Sequence, residues 1–133
     1  MRIFYEHWGF GGIGGGTPSM IVKMAIAGST IADLTCSKIV SVAGDFLGAC
    51  TNGTHLFVVR NNVVDQYLCA DLSLVSSITT FNGGDSFNLP HAVTLDATQL
   101  YVTDNNAAPR VIVFLLADLS YIGQFPTQMT QVF

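Results

Sequence analysis

QLYVTDNN, residues 99 to 106, lies over HLFVVRNN, residues 55 to 62, at an offset of 44. The two stretches share Leu, an aromatic residue, Val and a closing Asn-Asn pair. Each is an aliphatic and aromatic run that stops at short polar side chains able to bond the local backbone, the pattern of a strand running into a turn. Two such strands at a fixed offset make the chain a repeat, and the search for further copies decides the fold.

The tripeptide Ala-Asp-Leu supplies them. It occurs at residues 32–34, 70–72 and 117–119, spacings of 38 and 47, each time followed by Thr or Ser and then by an apolar strand. Gly44-Asp45 and Gly84-Asp85, 40 apart, fall in step with it. The third copy divides most cleanly, into apolar runs at His91 to Leu95, Gln99 to Thr103, Arg110 to Leu116 and Tyr121 to Phe125, broken by DAT, DNNAAP and ADLS. Four short antiparallel strands in a unit of this length form a propeller blade. The expected fold class is therefore all-β, a β-propeller of four-stranded antiparallel sheets with about three blades per chain. Blade 1 covers about 1–45, blade 2 about 46–88 and blade 3 about 89–125, with an extra innermost strand at about 126–133. Asp33, Asp71 and Asp118 fall in the hairpin between third and fourth strands, where each carboxylate is expected to accept backbone amides of its own turn.

Leu89 to Phe125 resembles an NHL repeat or its close relative, the YVTN repeat. The matching pieces are Pro90 opening the innermost strand, LYVTD with Asn105-Asn106 after the second, Arg110-Val111 starting the third and the Asp-Leu-Ser turn into the fourth. The second copy departs from the pattern with Arg60 where the third has Asp104, and with a shorter loop after Asn62. The resemblance implies a propeller that serves as a structural, protein-binding or glycan-binding wheel; a minority of such wheels are hydrolases or lyases that hold a metal in the central channel. Fold resemblance of this kind supports a scaffold and names no partner.

Composition narrows the classes further. In 133 residues half are hydrophobic, only 11% are charged, the net charge is −4 and thirteen are glycine. That balance suits a sheet-rich chain with a sizeable core. Arg2, Lys23, Lys38, Arg60 and Arg110 are scattered singly, so no basic stripe faces a nucleic-acid backbone. MRIFYEHWGF does not read as an export signal, and VIVFLLA at 111–117 is too short to span a bilayer as a helix. No compartment follows; a virion, filament or extracellular setting is left open. Cys36, Cys50 and Cys69 make neither a complete disulfide set nor a zinc knuckle and are expected as small core residues.

The register of the first copy carries information about partners. Ile3 to His7 aligns with LYVTD, so the chain starts on a second strand, while Phe125 to Phe133 aligns with NLPHAVTL and ends on an innermost strand. The missing strand and the surplus strand are the same one. The expected partner is protein: an identical chain that completes the ring, or adjoining blades of a longer chain.

Candidate chemistry is sparse. Trp8 and Phe10 beside the glycines, with Asn105 and Asn106 at the equivalent loop, are the candidate binding residues for a glycan or peptide at the loop rim. Gly9-Phe10-Gly11-Gly12-Ile13-Gly14 fits G-x-G-x-x-G, and a helix from Thr17-Pro18 to Gly28 would complete a dinucleotide site. The competing reading makes GFGGIGGGTPS a long loop between second and third strands. His7, His55 and His91 are the candidates for a channel metal. No G-x-S-x-G elbow supports a hydrolase triad, and Asn52-Gly53-Thr54 reads as a turn before it reads as a glycan acceptor. The sequence thus favours a non-enzymatic structural or interaction module with no cofactor and no metal, and the glycan or peptide binder, the channel-metal enzyme and the dinucleotide binder stand as alternatives.

Overall fold

The computed structural model describes residues 2–6, 19–26, 34–42, 44, 46–105 and 108–126, and among them every regular element is a β-strand. The first sheet joins β1 (Arg2–Glu6), β2 (Ser19–Ile26) and β3 (Leu34–Val42) in that order. The second joins β4 (Phe46–Thr51), β5 (His55–Arg60), β6 (Val63–Leu68) and β7 (Leu74–Ile78). A short hairpin, β8 (Thr80–Phe81) and β9 (Asp85–Ser86), follows. The third sheet joins β10 (Pro90–Leu95), β11 (Gln99–Asp104), β12 (Arg110–Leu115) and β13 (Tyr121–Pro126). Neighbours in every sheet run antiparallel and consecutive in sequence, the meander of a propeller blade.

The three sheets share an irregularity that identifies equivalent strands. A bulge interrupts the outer pair between Gln66 and Tyr67, between Val113 and Phe114, and between Lys23 and Met24. Across from the second residue of each stand Leu74, Tyr121 and Cys36, and each of these lies two residues after the Leu of Ala-Asp-Leu. The tripeptide therefore marks one register in all three sheets. By that register β2 and β3 correspond to the outer strands of a blade, and β1 takes the place of β5 and β11. The innermost pairs also match each other, with a bulge at Leu47 and another at His91. Residues 127–133, assigned by sequence to a displaced innermost strand, lie outside the described residues.

Packing explains why β5 is apolar at four consecutive positions. Leu56, Phe57, Val58 and Val59 are all buried, yet a strand points alternate side chains to opposite faces. Leu56 and Val58 pack with Ile21 of the first sheet and with Phe46, Tyr67, Cys69 and Leu72. Phe57 and Val59 pack with Val93, Leu100, Val102, Ile112 and Phe114 of the third. The second sheet is the middle layer of a stack. Lys23 adds a polar tie, its Nζ donating to the Ala70 carbonyl in the second sheet's outer turn.

The gap between second and third sheets is closed differently at its two edges. At the inner edge β4 meets β10 so closely that a Cβ on Gly48 would lie 2.9 Å from the His91 carbonyl oxygen and 3.2 Å from Ala92 Cα. Only glycine fits there. At the outer edge the β8–β9 hairpin brings Phe81 against Phe87, Phe114 and Tyr121, with ring centroids 5.0, 5.8 and 5.7 Å away. Its turn uses Asn82 and Gly83 at positive φ, and the Gly84 amide donates to the Phe81 carbonyl.

Three expectations are corrected. The hairpin is an element beyond the four strands expected per blade, because SITTFNGGD splits into the end of β7 and a separate turn. Gly84-Asp85 therefore lies in that hairpin, whereas Gly44 stands in a short link before β4, and their spacing marks no shared position. Of the two readings of the glycine run, the segment after it follows the loop reading: it is strand β2, antiparallel to β1, so the strand, loop and helix context of the alternative dinucleotide site is not formed. Among the cysteines, Cys69 is buried and Cys50 half-buried, but Cys36 is exposed. Burial pushes the Cys50 thiol up to about 11.

The close contact at the inner edge is testable. Gly48→Val should lower stability by about 1–3 kcal/mol through overpacking against β10. Gly123→Ala, whose added Cβ meets nothing within 4 Å, should change it by less than about 0.5 kcal/mol. Urea unfolding of both variants measures the difference.

Candidate functional site

Two carboxylates are buried in the described residues, and each is a natural suspect for chemistry. Asp104 ends β11, with its Oδ2 accepting from Arg110 Nε at 3.1 Å and Nη2 at 2.9 Å, while Oδ1 accepts from the backbone amides of Asn88 at 3.0 Å and Leu89 at 2.8 Å. Arg110 also donates to the Ser86 carbonyl and lies over the Phe81 ring, 5.3 Å from its centroid. The pair thus pins the link before β10 and the hairpin to the third sheet. Asp65, in β6, accepts from Arg60 Nε, from Ser77 Oγ at 2.5 Å and from Tyr67 Oη at 3.4 Å. Burial and the neighbouring Asp65 push the Tyr67 hydroxyl up to about 12.

The two blades therefore solve one problem with opposite charge order. Arg60 and Asp104 are equivalent strand ends, and their partners Asp65 and Arg110 stand at different positions of the following strand. Every buried side-chain nitrogen or oxygen among the described residues has a hydrogen-bond partner. The sequence placed Asp104 in a corner and overlooked these pairs. The available signal was a single acid and a single Arg five or six residues apart in otherwise uncharged strands.

At one end of the sheets, four hairpin turns repeat a carboxylate or amide cap. Asp71 Oδ1 accepts from Ser73 N at 2.9 Å and Oγ at 2.7 Å, and Asp118 makes the same two bonds to Ser120. Leu72 and Leu119 between them take positive φ of 55° and 59°. Asn52 Oδ1 accepts from the Thr54 and His55 amides, and Asp96 Oδ1 from those of Thr98 and Gln99. The Thr98 amide, the Tyr101 hydroxyl and the Gln99 amide bring the Asp96 carboxyl down to about 2. The Ser73 and Ser120 hydroxyls and amides lower Asp71 and Asp118 as well.

The remaining candidates do not converge. His91 sits at the bulge of β10 beside Gly48, which pairs with Val59. His55 lies four residues back along β5, about 13 Å away at 3.3–3.4 Å per residue. The two imidazoles belong to opposite ends of adjacent blades, so they cannot share a metal. Among the described residues no three His, Cys, Asp or Glu side chains cluster as a metal site. Asn105 is exposed and its amide donates to the Leu89 carbonyl at 2.9 Å. His7, Trp8, Phe10, Asp33 and Asn106 lie outside the described residues, as does the glycine run.

Shallow depressions lie among the described residues. One of about 450 Å³ lies at the capped-turn end between the second and third sheets, lined by Asn52, Thr54, His55, Thr98, Leu115 and Leu116. Another, about 400 Å³, lies beside the hairpin at Phe81, Asn82, Gly83, Leu119 and Tyr121. Neither contains a charged side chain.

The fold defines the class, β-propeller blades, and the two buried carboxylates in them are paired with arginines. No family model and no curated protein matches the sequence. Among solved structures the chain is similar to apo AztD from Citrobacter koseri, with a TM-score of 0.60 and 11% sequence identity over 86% of this chain and 34% of that one. At that identity the likeness shows the fold alone, and the chain spans about a third of AztD's length.

Two measurements follow. Arg110→Ala leaves Asp104 buried without its cation and should cost about 3–5 kcal/mol in urea unfolding. Because Asp96, Asp71 and Asp118 are lowered from 3.8 in the folded chain, their stabilisation is complete above that value and is lost as pH falls toward about 2. The melting temperature should fall through that window. Asp96→Asn keeps the amide-accepting oxygen, as Asn52 does, and should flatten the fall; an unchanged slope would contradict the turn's role.

Proposed function

We propose that the chain is a non-enzymatic structural or interaction module built from blades of the NHL or YVTN type. The observation that carries this reading is the commitment of both buried carboxylates to internal pairs. Asp65 and Asp104 each hold an Arg and bind neighbouring hydroxyls or amides, so neither has a free oxygen aimed into a depression. A general acid or base needs hydrogen-bond reach to a substrate proton. Among the described residues the broad sheet faces are what a partner could meet, and work done by a face is binding.

The enzyme alternative has a direct test. Purified chain, supplied with zinc, manganese or calcium, is assayed against chromogenic esters, phosphoesters and glycosides. No turnover above buffer is expected. Turnover that saturates with substrate and disappears in His55→Ala or His91→Ala would replace this reading with the channel-metal one.

A further inference from the structure

The dipeptide Asn-Gly occurs twice, at 52–53 and at 82–83, and the fold treats the two copies differently. An Asn followed by Gly is chemically labile, because a glycine amide with no side chain beside it is free to approach the asparagine's own Cγ. Whether attack follows depends on what holds the two groups apart.

At Asn52 they are held on both sides. The Gly53 amide donates to Thr51 Oγ1 at 3.0 Å, while Asn52 Oδ1 accepts from the Thr54 amide at 3.0 Å and the His55 amide at 2.8 Å. The Asn52 amide donates to the His55 carbonyl at 3.2 Å. This turn joins β4 and β5, six-residue strands of the middle sheet, so opening it works against the shared core.

At Asn82 the Gly83 amide has no hydrogen-bond partner among the described residues. Asn82 Nδ2 donates to Asp85 Oδ2 at 3.1 Å, and the Gly84 amide donates to the Phe81 carbonyl at 3.0 Å. Asn82, Gly83 and Gly84 are exposed, and a Cβ added at either glycine would meet nothing within 4 Å. Strands β8 and β9 have two residues each, and so short a hairpin opens at little cost.

We propose that Asn82 is a site of spontaneous modification, and that its conversion loosens the hairpin that wedges the second and third sheets. The Gly83 nitrogen loses its proton to solvent and bonds to Asn82 Cγ. The Cγ–Nδ2 bond breaks, and the side-chain nitrogen takes a proton from solvent and leaves as ammonia. Water then opens the resulting cyclic imide. Opening at Cγ leaves aspartate, whereas opening at the main-chain carbonyl leaves isoaspartate, whose backbone gains a methylene. Either product loses the donor to Asp85 and sets a second negative charge near it. The longer backbone also breaks the register that pairs Phe81 with Asp85, and Phe81 is the ring that fills the outer edge. The proposal goes beyond the interaction-module reading and does not depend on it.

The full chain, incubated at mildly alkaline pH and then digested with trypsin, tests it, because peptides 39–60 and 61–110 carry the two Asn-Gly pairs separately. Fragmentation mass spectrometry follows the amide-to-acid mass gain at each, and methyl transfer by an isoaspartyl methyltransferase reports the isomerised product. In guanidinium chloride the two sites should convert at similar rates. In buffer Asn82 should convert at least about tenfold faster than Asn52, whose turn must break more hydrogen bonds to react. Asn82 converting no faster than Asn52 in the folded chain overturns the proposal.

The melting temperature of the parent should fall as Asn82 converts. Asn82→Gly, which accepts the positive φ and has no amide to lose, should melt near the fresh parent and hold that temperature through the incubation. A parent that converts at Asn82 and melts unchanged overturns the loosening of the wedge.

Discussion

Four consecutive buried apolar side chains on β5 require cover on both faces of one sheet. Each is worth about 1.5–3 kcal/mol when removed from water, and alternation sends Leu56 and Val58 one way and Phe57 and Val59 the other. A sheet with such a strand at its centre cannot stand alone in solvent. The first and third sheets are therefore conditions for the second to fold, and the chain is a stack before it is a set of hairpins. The inner and outer edges follow from the same constraint. Sheets that converge at Gly48 diverge at β7 and β13, and the divergence is filled by the aromatic hairpin carrying Phe81.

The few charges are distributed to hold that stack. Arg110 links Asp104, the Ser86 carbonyl and the Phe81 ring, so one guanidinium fixes the third sheet to the hairpin that wedges it. Arg60 and Asp65 do the corresponding work inside the second sheet. Buried pairs of this kind contribute little net stability over an apolar substitute, but losing one partner is costly. Their effect is to fix which strand ends meet, which matters in a repeat where neighbouring blades are alike.

Much of the fold was legible because period-two burial and turn chemistry are local. LYVTD, the Ala-Asp-Leu turns and the Asn-Asn corner each declare themselves within eight residues. The bulges that align the three sheets fall beside Ala-Asp-Leu, which is why that tripeptide was a sound ruler and Gly-Asp was not. The hairpin was missed because SITTFNGGD reads equally well as a strand end or as two short strands, and only packing against Phe114 decides. The Asp104 and Arg110 pair was missed because an acid beside Asn-Asn looks like a turn residue until the strand's last position is known to be covered. The site is less legible still: Trp8 and Phe10 stand out for their chemistry alone, and no spacing shows that His55 and His91 occupy opposite ends of adjacent blades.

The stacking account is tested most directly by native-state amide hydrogen exchange across β5, β6, β11 and β12 in low concentrations of denaturant. If the middle sheet depends on its neighbours, the slowest amides of all four strands should exchange through one shared opening, with the same free energy and the same denaturant dependence. Separate openings, with β11 and β12 remaining protected after β5 and β6 have exchanged, would show that the sheets fold independently and that the shared core does not bind them into one unit.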